Sequence, residues 1–136
     1  MVAHLYRTHV RYNEVDQMGV VHNSIYYIYM ELARCDMVKA AGYPYRKMEE
    51  DGIYLPVVES GCQFKGAARY DDLLVVETRI RYIRNASSRI EYTIRKEDGT
   101  LVAEGFTVHA CVDKSFEVAL FPEAIRQILA QFIISG

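Results

Sequence analysis

Residues 25–30 limit the possible folds more than any other part of this chain. They read Ile-Tyr-Tyr-Ile-Tyr-Met and open a segment with helical spacing. Because these first two turns are apolar nearly all round, this half of the helix should be buried on every side. A curved sheet wrapped around the helix can bury it in this way, whereas the surface of a sheet cannot. We therefore predict an α+β fold with a long buried central helix inside a curved antiparallel sheet.

The sequence around this segment indicates where the helix begins and ends. Asn23 and Ser24 are both good N-cap residues, so the helix should begin near one of them and end before Gly42. Pro44 then fits a short second helix over roughly residues 44–51. Apolar residues recur along the long helix at spacings of four and three, which predicts one buried face: Tyr26, Met30, Ala33, Met37 and Ala40.

The rest of the chain favours β-structure. Residues 3–11 alternate and predict a first strand, and an Asp-Gly turn within residues 97–100 predicts a hairpin. A short strand over residues 117–121 and a C-terminal helix from Pro122 to about Phe132 are also expected. The sheet should then have five to six strands, the main ones after the helix being residues 53–65, 73–84, 88–97 and 101–112.

Size and composition narrow the class of protein. A chain of 136 residues predicts one domain, over residues 1–136. A net charge of −2 argues against nucleic acid as the main partner. Cys35, Cys62 and Cys111 are widely spaced and odd in number, which favours reduced thiols over disulfides, and no residues show metal-ligand spacing. With no signal peptide and no run of about 18 apolar residues, we expect a cytoplasmic protein without a membrane span.

A lone acid, Asp16, lies in a short loop over residues 12–22 that leads into the helix. Unpaired N–H groups and the positive dipole end make a helix N-terminus favourable for developing negative charge. A carboxylate base beside such a site suits acyl-transfer chemistry. The alternative is a turn aspartate that hydrogen-bonds its own backbone. Gly19 fits a tight loop that approaches a substrate closely.

The residues of this region resemble a known family, the 4-hydroxybenzoyl-CoA-type acyl-CoA thioesterases, which include a tol–pal-associated branch. These are small enzymes of the hotdog fold. The resemblance continues through residues 55–58 and 64–72. It begins with a specific block of matching positions: Tyr12, Glu14, Asp16, Gly19, Val20, Val21, Tyr26, Glu31, Ala33 and Arg34.

The resemblance implies hydrolysis of an acyl or aroyl thioester of coenzyme A, with no metal or redox cofactor. In the resembled enzymes the catalytic carboxylate stands at the position of Asp16, where it would act as general base or as nucleophile. The backbone N–H of Asn23 would hold the thioester oxygen. A homodimer or homotetramer that builds the site from two chains is also implied. The acyl pocket would be shaped by Gly19, Val20, Val21, His22 and Tyr26.

His22 departs from the tol–pal-associated branch, which tends to have Tyr-His where this chain has His22-Asn23. A role in polarising substrate and a role as a partly buried structural imidazole therefore both stay open. A Ser-His-Asp triad with Asp16 and Ser24 is excluded, because residues so close in sequence are poorly placed for the relay.

Basic and acidic residues elsewhere allow further contacts. Glu31 and Arg34 are three residues apart on the helix, and this spacing predicts a partly buried ion pair or a dimer contact. Glu59 is either such a contact or part of the substrate site. Arginines on the strands can contact phosphate, or they can simply form a solvated face of the sheet with Glu77 and Glu91 opposite them. The residues that could meet the phosphates of coenzyme A are Arg69, Arg84, Ser87, Ser88 and Arg89.

Other functions of the same fold remain as alternatives. A hydratase would resemble a pattern of Asp, four residues and His near a Pro, whereas five residues separate Asp16 from His22 here. A thioesterase acting on acyl-carrier protein would differ only in the thiol of its substrate. A non-catalytic acyl-binding protein would keep the pocket without turnover.

Overall fold

One antiparallel sheet of five strands and one long helix make up nearly half of residues 3–134, the part of the chain that this computed structural model describes. The strands are β1 (His4–His9), β2 (Val57–Phe64), β3 (Leu73–Ile83), β4 (Ser87–Lys96) and β5 (Leu101–Ala110). The helices are α1 (Asn23–Ala40), α2 (Tyr45–Glu50) and α3 (Glu123–Leu129). Short 3-10 helices span Tyr12–Glu14 and Ala130–Phe132. The α+β prediction and a C-terminal helix that ends near Phe132 are confirmed.

The strand order is β1-β3-β4-β5-β2, which leaves β1 and β2 at the two edges. Alternate side chains of β3 point to the core, and Leu74, Val76 and Ile80 are fully buried there. α1 packs across this face and buries Met30, Ala33 and Met37. Within residues 3–134, no helix has both the length and the apolar character needed to cross a bilayer.

A glycine lets α1 approach the sheet closely. A Cβ atom at Gly105 of β5 would lie 2.6 Å from the sulfur of Met30 and 3.0 Å from the backbone oxygen of Gly61. The first distance is shorter than real Cβ contacts and the second is very tight, so Met30 would have to move to admit a side chain here. Because Gly105 has no side chain, α1 packs more closely against β5 here than a larger residue would allow.

The predicted burial of α1 is wrong in two places. Tyr27 is 38% exposed and Ile28 is 44% exposed, because within one chain the sheet covers only one side of the helix. Ala40, at the end of α1, is also exposed, whereas Val38 is buried. The apolar spacing correctly predicts the face towards the sheet, but the opposite side of the first two turns needs another cover.

Two other predicted elements differ from the structure. The proposed strand over residues 117–121 has only one bridge, from Val112 to Val118. The carboxylate of Asp113 accepts hydrogen bonds from the backbone of Ser115 and Glu117 and turns the chain there. The strand predicted from residue 53 begins at Val57, after Pro56, which has no N–H for a strand ladder.

Candidate active site

The loop that carries Asp16 is closed by its own backbone. Val15 and Val21 form a bridge, and we call residues 15–21 the Asp16 loop. The Asp16 N–H donates to the Val20 carbonyl at 2.9 Å, and the Gly19 N–H donates to the Asp16 carbonyl at 2.9 Å. Gly19 has a φ of 80°, which glycine adopts without the strain of other residues. The turn therefore needs glycine, as expected.

The carboxylate of Asp16 is half-buried and has one hydrogen bond. Its Oδ1 accepts from the backbone N–H of Met18 at 2.8 Å. Asp16 therefore does make the backbone hydrogen bond of a turn aspartate, the alternative named above. No other group within residues 3–134 hydrogen-bonds this carboxylate, and no basic side chain there lies within 4.0 Å of it. Oδ2 thus remains available to a water molecule or a substrate.

Glu14 ties this loop to α1, a role that the sequence reasoning missed. Its buried Oε1 accepts from the Tyr29 hydroxyl at 2.9 Å and from the Arg11 N–H at 2.8 Å. Its carbonyl accepts from the His22 N–H at 3.0 Å. Burial and the bond to Glu14 raise the pKa of Tyr29, so this phenol stays protonated. Glu14 is one of the positions that match the resembled family, two residues before Asp16, and this match was the sequence signal that could have indicated its role.

His22, and not Asn23 or Ser24, caps the N-terminus of α1. Its Nδ1 accepts from the Ser24 N–H at 3.2 Å and lies 2.8 Å from the Ser24 hydroxyl. The imidazole is exposed and not partly buried. The structure therefore favours a capping role for His22, and this geometry prepares the helix end beside the Asp16 loop.

Asn23 provides the first N–H of α1. No group within the described chain accepts a hydrogen bond from it, as is usual at a helix start. The N–H and the positive end of the helix dipole are thus free to stabilise a substrate oxygen that gains negative charge. The cap at His22 and the Glu14 bonds hold this donor and the Asp16 loop in one unit.

The segment before β3 forms the other side of the Asp16 loop. Val20 bridges Arg69, and the Val21 N–H donates to the Ala68 carbonyl at 2.9 Å. Arg69 is exposed, and its Nη1 lies 3.9 Å from the place where a Cβ of Gly19 would stand. One cationic side chain therefore borders the loop.

The predicted pocket residues divide into two layers. Gly19 and Val20 are half-buried in the loop. Val21 and Tyr26 are buried in the core, where the Tyr26 ring packs 5.4 Å from Phe64, centroid to centroid. Burial raises the pKa of Tyr26. The buried pair supports the loop from beneath.

The five residues predicted to meet phosphates do not come together in one chain. Arg69 precedes β3 and Arg84 follows it, and a strand of 11 residues spans roughly 35 Å. Ser88 is buried and faces the core, so a phosphate contact there is wrong. Ser87, beside it at the start of β4, is half-buried.

The arginines near β4 have partners of their own. The Arg84 guanidinium stacks 3.9 Å from the ring of Tyr82. The guanidinium of Arg89 lies 4.0 Å from the Phe106 ring centroid and 3.1 Å from a carboxylate oxygen of Glu91. The alternative of a charged, solvated sheet face therefore describes Arg89.

The acidic residues away from the loop also have clear positions. Glu59 is exposed on the edge strand β2, at a shift in the strand register. Glu31 and Arg34 do not form the predicted ion pair, since their charged atoms are more than 4.0 Å apart. Within residues 3–134, no hydrogen bond joins Glu59 to the Asp16 loop.

Comparison with known proteins identifies the family. Residues 10–129 match the family described as the thioesterase-like superfamily. A hypothetical protein from Thermus thermophilus is 39% identical, and its crystal structure aligns with a TM-score of 0.91 over 98% of this chain and 100% of that one.

Relatives with named activities agree with this match. The acyl-CoA thioester hydrolase YbgC of Escherichia coli O157:H7 is 28% identical, with 94% of this chain and 96% of that protein covered. DHNA-CoA thioesterase from Staphylococcus aureus is 26% identical, with a TM-score of 0.90 over 96% of this chain and 91% of that chain. The fold is the hotdog fold, as the resemblance predicted, and this chain belongs to the thioesterase-like superfamily.

Proposed function

We propose that this thioester hydrolase cleaves acyl or aroyl thioesters of coenzyme A, with Asp16 as its general base. The observation that supports this most strongly is the free Oδ2 of Asp16 in a loop that Glu14 bonds to the start of α1. A base and an oxyanion donor are thus parts of one rigid unit. The names of the relatives support coenzyme A as the thiol.

In the proposed reaction, Oδ2 of Asp16 takes a proton from water as the water oxygen bonds to the thioester carbon. The carbonyl oxygen becomes negative and accepts a hydrogen bond from the Asn23 N–H. When the carbonyl re-forms, the carbon–sulfur bond breaks, and the proton on Asp16 passes to the thiolate. The products are the free acid and coenzyme A. Direct attack by Asp16, through a mixed anhydride, is the alternative form of the first step.

Residues around the loop receive supporting roles. Arg69 is exposed beside Gly19, so we assign it a phosphate of coenzyme A. Gly19 and Val20 line the thioester site. No metal or redox cofactor is needed, since coenzyme A enters as part of the substrate. The free thiols of the three cysteines fit a reducing compartment, which supports a cytoplasmic location.

The experiment that tests this function is the release of free thiol from acyl-CoAs with short, long and aromatic acyl groups. At least one class should be hydrolysed by the purified protein. Faster release from acyl-carrier protein carrying the same acyl group would favour that substrate instead. Binding without release would support a non-catalytic acyl-binding protein, and hydration of an enoyl-CoA would support a hydratase.

A homodimer formed through β2 is the proposed assembly, and a homotetramer would double it. β2 is an edge strand that is exposed at most of its positions yet carries large apolar residues: Val57, Val58 and Phe64. Tyr27 and Ile28 on α1 extend this apolar surface. The unpaired backbone groups of an exposed, apolar edge strand are a template for pairing with another chain. Glu59 would then lie between the two chains, where the second subunit completes the site.

Replacement of Val58 by Lys is expected to convert the dimer into monomers, because a charge would then face the apolar partner strand. Analytical ultracentrifugation measures the change. Leu5→Lys is the matched control, since Leu5 is similarly exposed on the opposite edge strand, and this variant should stay dimeric. A dimer in Val58→Lys at the wild-type dissociation constant would contradict the assignment.

A further inference from the structure

Arg34 lies on α1 where two clefts meet. One cleft, of about 390 Å³, lies between α1, α2 and the segment of residues 53–56. The other, of about 260 Å³, lies between α1 and the strands β2 and β5. Glu31 and Arg34 line both clefts. The guanidinium is therefore accessible from either side of this part of the helix.

The side of α1 that lines the clefts is one continuous stripe. Its members follow helical spacing: Tyr27, Ile28, Glu31, Arg34 and Cys35. The stripe begins about one turn after Asn23, and the eleven steps from Asn23 to Arg34 correspond to about 16 Å of helix. The stripe thus runs from about one turn after the proposed oxyanion donor to the guanidinium.

The guanidinium of Arg34 has no anionic partner within residues 3–134. It is half-buried, and no carboxylate oxygen of the described chain lies within 4.0 Å of it. It makes a long hydrogen bond, at 3.4 Å, to the Tyr92 hydroxyl, and it also lies close to the Tyr45 hydroxyl. A guanidinium has five N–H donors, and a partly desolvated charge without a counterion is unfavourable. This charge therefore favours an anion in the groove.

A chain of buried and partly buried hydrogen bonds orients the Tyr92 hydroxyl, the partner of Arg34. Nδ1 of His109 donates to the Leu55 carbonyl at 2.9 Å, because a carbonyl can only accept. In the neutral imidazole Nε2 is then an acceptor, and it takes the Thr107 hydroxyl proton at 2.9 Å. The Thr107 oxygen accepts from Tyr92 at 2.7 Å. The Tyr92 oxygen is left to accept from Arg34, which holds the guanidinium at the clefts.

We propose that Arg34 binds a carboxylate at the far end of the acyl group, so that the enzyme prefers monothioesters of dicarboxylic acids. This inference rests on the proposed thioesterase function. Tyr27, Ile28 and Val57 lie at the boundary of the proposed dimer, and there they form one wall, apolar in character, for the methylene groups between the thioester and that carboxylate. Glu31 and Glu49 also line the clefts, and among the described residues that line them Arg34 is the one basic side chain, so the guanidinium is the place there that favours an anion.

The test compares kcat/KM for a dicarboxylyl-CoA with that for the monocarboxylic acyl-CoA of the same chain length, over a series of medium lengths. The wild-type enzyme should prefer the dicarboxylyl substrate at the matching length. Arg34→Gln should lower this preference by about 10- to 100-fold, the value of a charge-assisted hydrogen bond. Arg34→Lys keeps the charge and should retain part of the preference. Arg81→Gln, on the outer face of the sheet, is the control and should keep all of it.

A measurement on the wild-type enzyme avoids any effect of the variant on folding. The free dicarboxylic acid should inhibit more strongly than the monocarboxylic acid of equal length. Equal inhibition, or equal losses for both substrates in Arg34→Gln, would contradict the inference. So would a change of oligomeric state without a change of preference, since Arg34 would then meet a carboxylate of a second copy. Absence of any CoA-thioester hydrolysis would overturn the proposed function as well.

Discussion

Replacement of Asp16 by Asn is expected to lower kcat by about 10²–10⁴-fold, because an amide cannot take a proton from water. The variant should still fold like the wild type. An Asn oxygen can accept the hydrogen bond that Oδ1 accepts from the Met18 N–H, so the turn survives the change. The measurement is thiol release with the best acyl-CoA substrate, together with circular dichroism and thermal unfolding of both proteins.

The comparison of Asp16→Asn with Asp16→Ala separates chemistry from turn structure. Alanine removes both the base and the turn hydrogen bond. If Asp16 were only a turn residue, Asp16→Asn would keep its activity and Asp16→Ala would lose activity and stability together. The catalytic role instead predicts that both variants are inactive and that only Asp16→Ala is less stable. Wild-type rates in Asp16→Asn would rule out the proposed mechanism.

The long helix and the sheet could be predicted because their signals are local. Helical spacing of apolar residues identified the face of α1 that packs on the sheet, and alternation identified the strands. The same alternation also predicts the position of Ser88, one of the candidate phosphate-binding residues. Ile90, Tyr92 and Ile94 mark the inner face of β4, and Ser88 has the same parity, so its burial was already implied by the pattern.

What the sequence could not provide depends on contacts between distant residues. Apolar spacing indicates that Tyr27 and Ile28 need cover, but it does not show that the sheet of the single chain leaves them exposed. Arg34 stands three residues from Glu31, which predicts an ion pair on an isolated helix. In the fold, Tyr92 on β4 binds the guanidinium instead, and only the assembled sheet brings that hydroxyl to α1.

Acid should destabilise the fold through His109. This side chain is 2% exposed, and burial lowers its pKa from 6.5 to about 4. The unfolded chain binds a proton at a higher pH than the folded chain, so stability is lost as pH falls from about 6.5 to about 4. The loss attributable to this group is on the order of 3 kcal/mol in total. Protonation would also give Nε2 a proton and break its bond from Thr107.

Urea unfolding at a series of pH values tests this directly. His109→Gln removes the titrating group, so its free energy of unfolding should depend less on pH across that window than the wild-type value does. The variant will be less stable at neutral pH, because it disturbs the bonds to Leu55 and Thr107, and the informative quantity is therefore the slope. His9→Gln removes an exposed histidine at the end of β1 and should keep the wild-type slope. Identical slopes in wild type and His109→Gln would show that His109 is not the group that acid acts on.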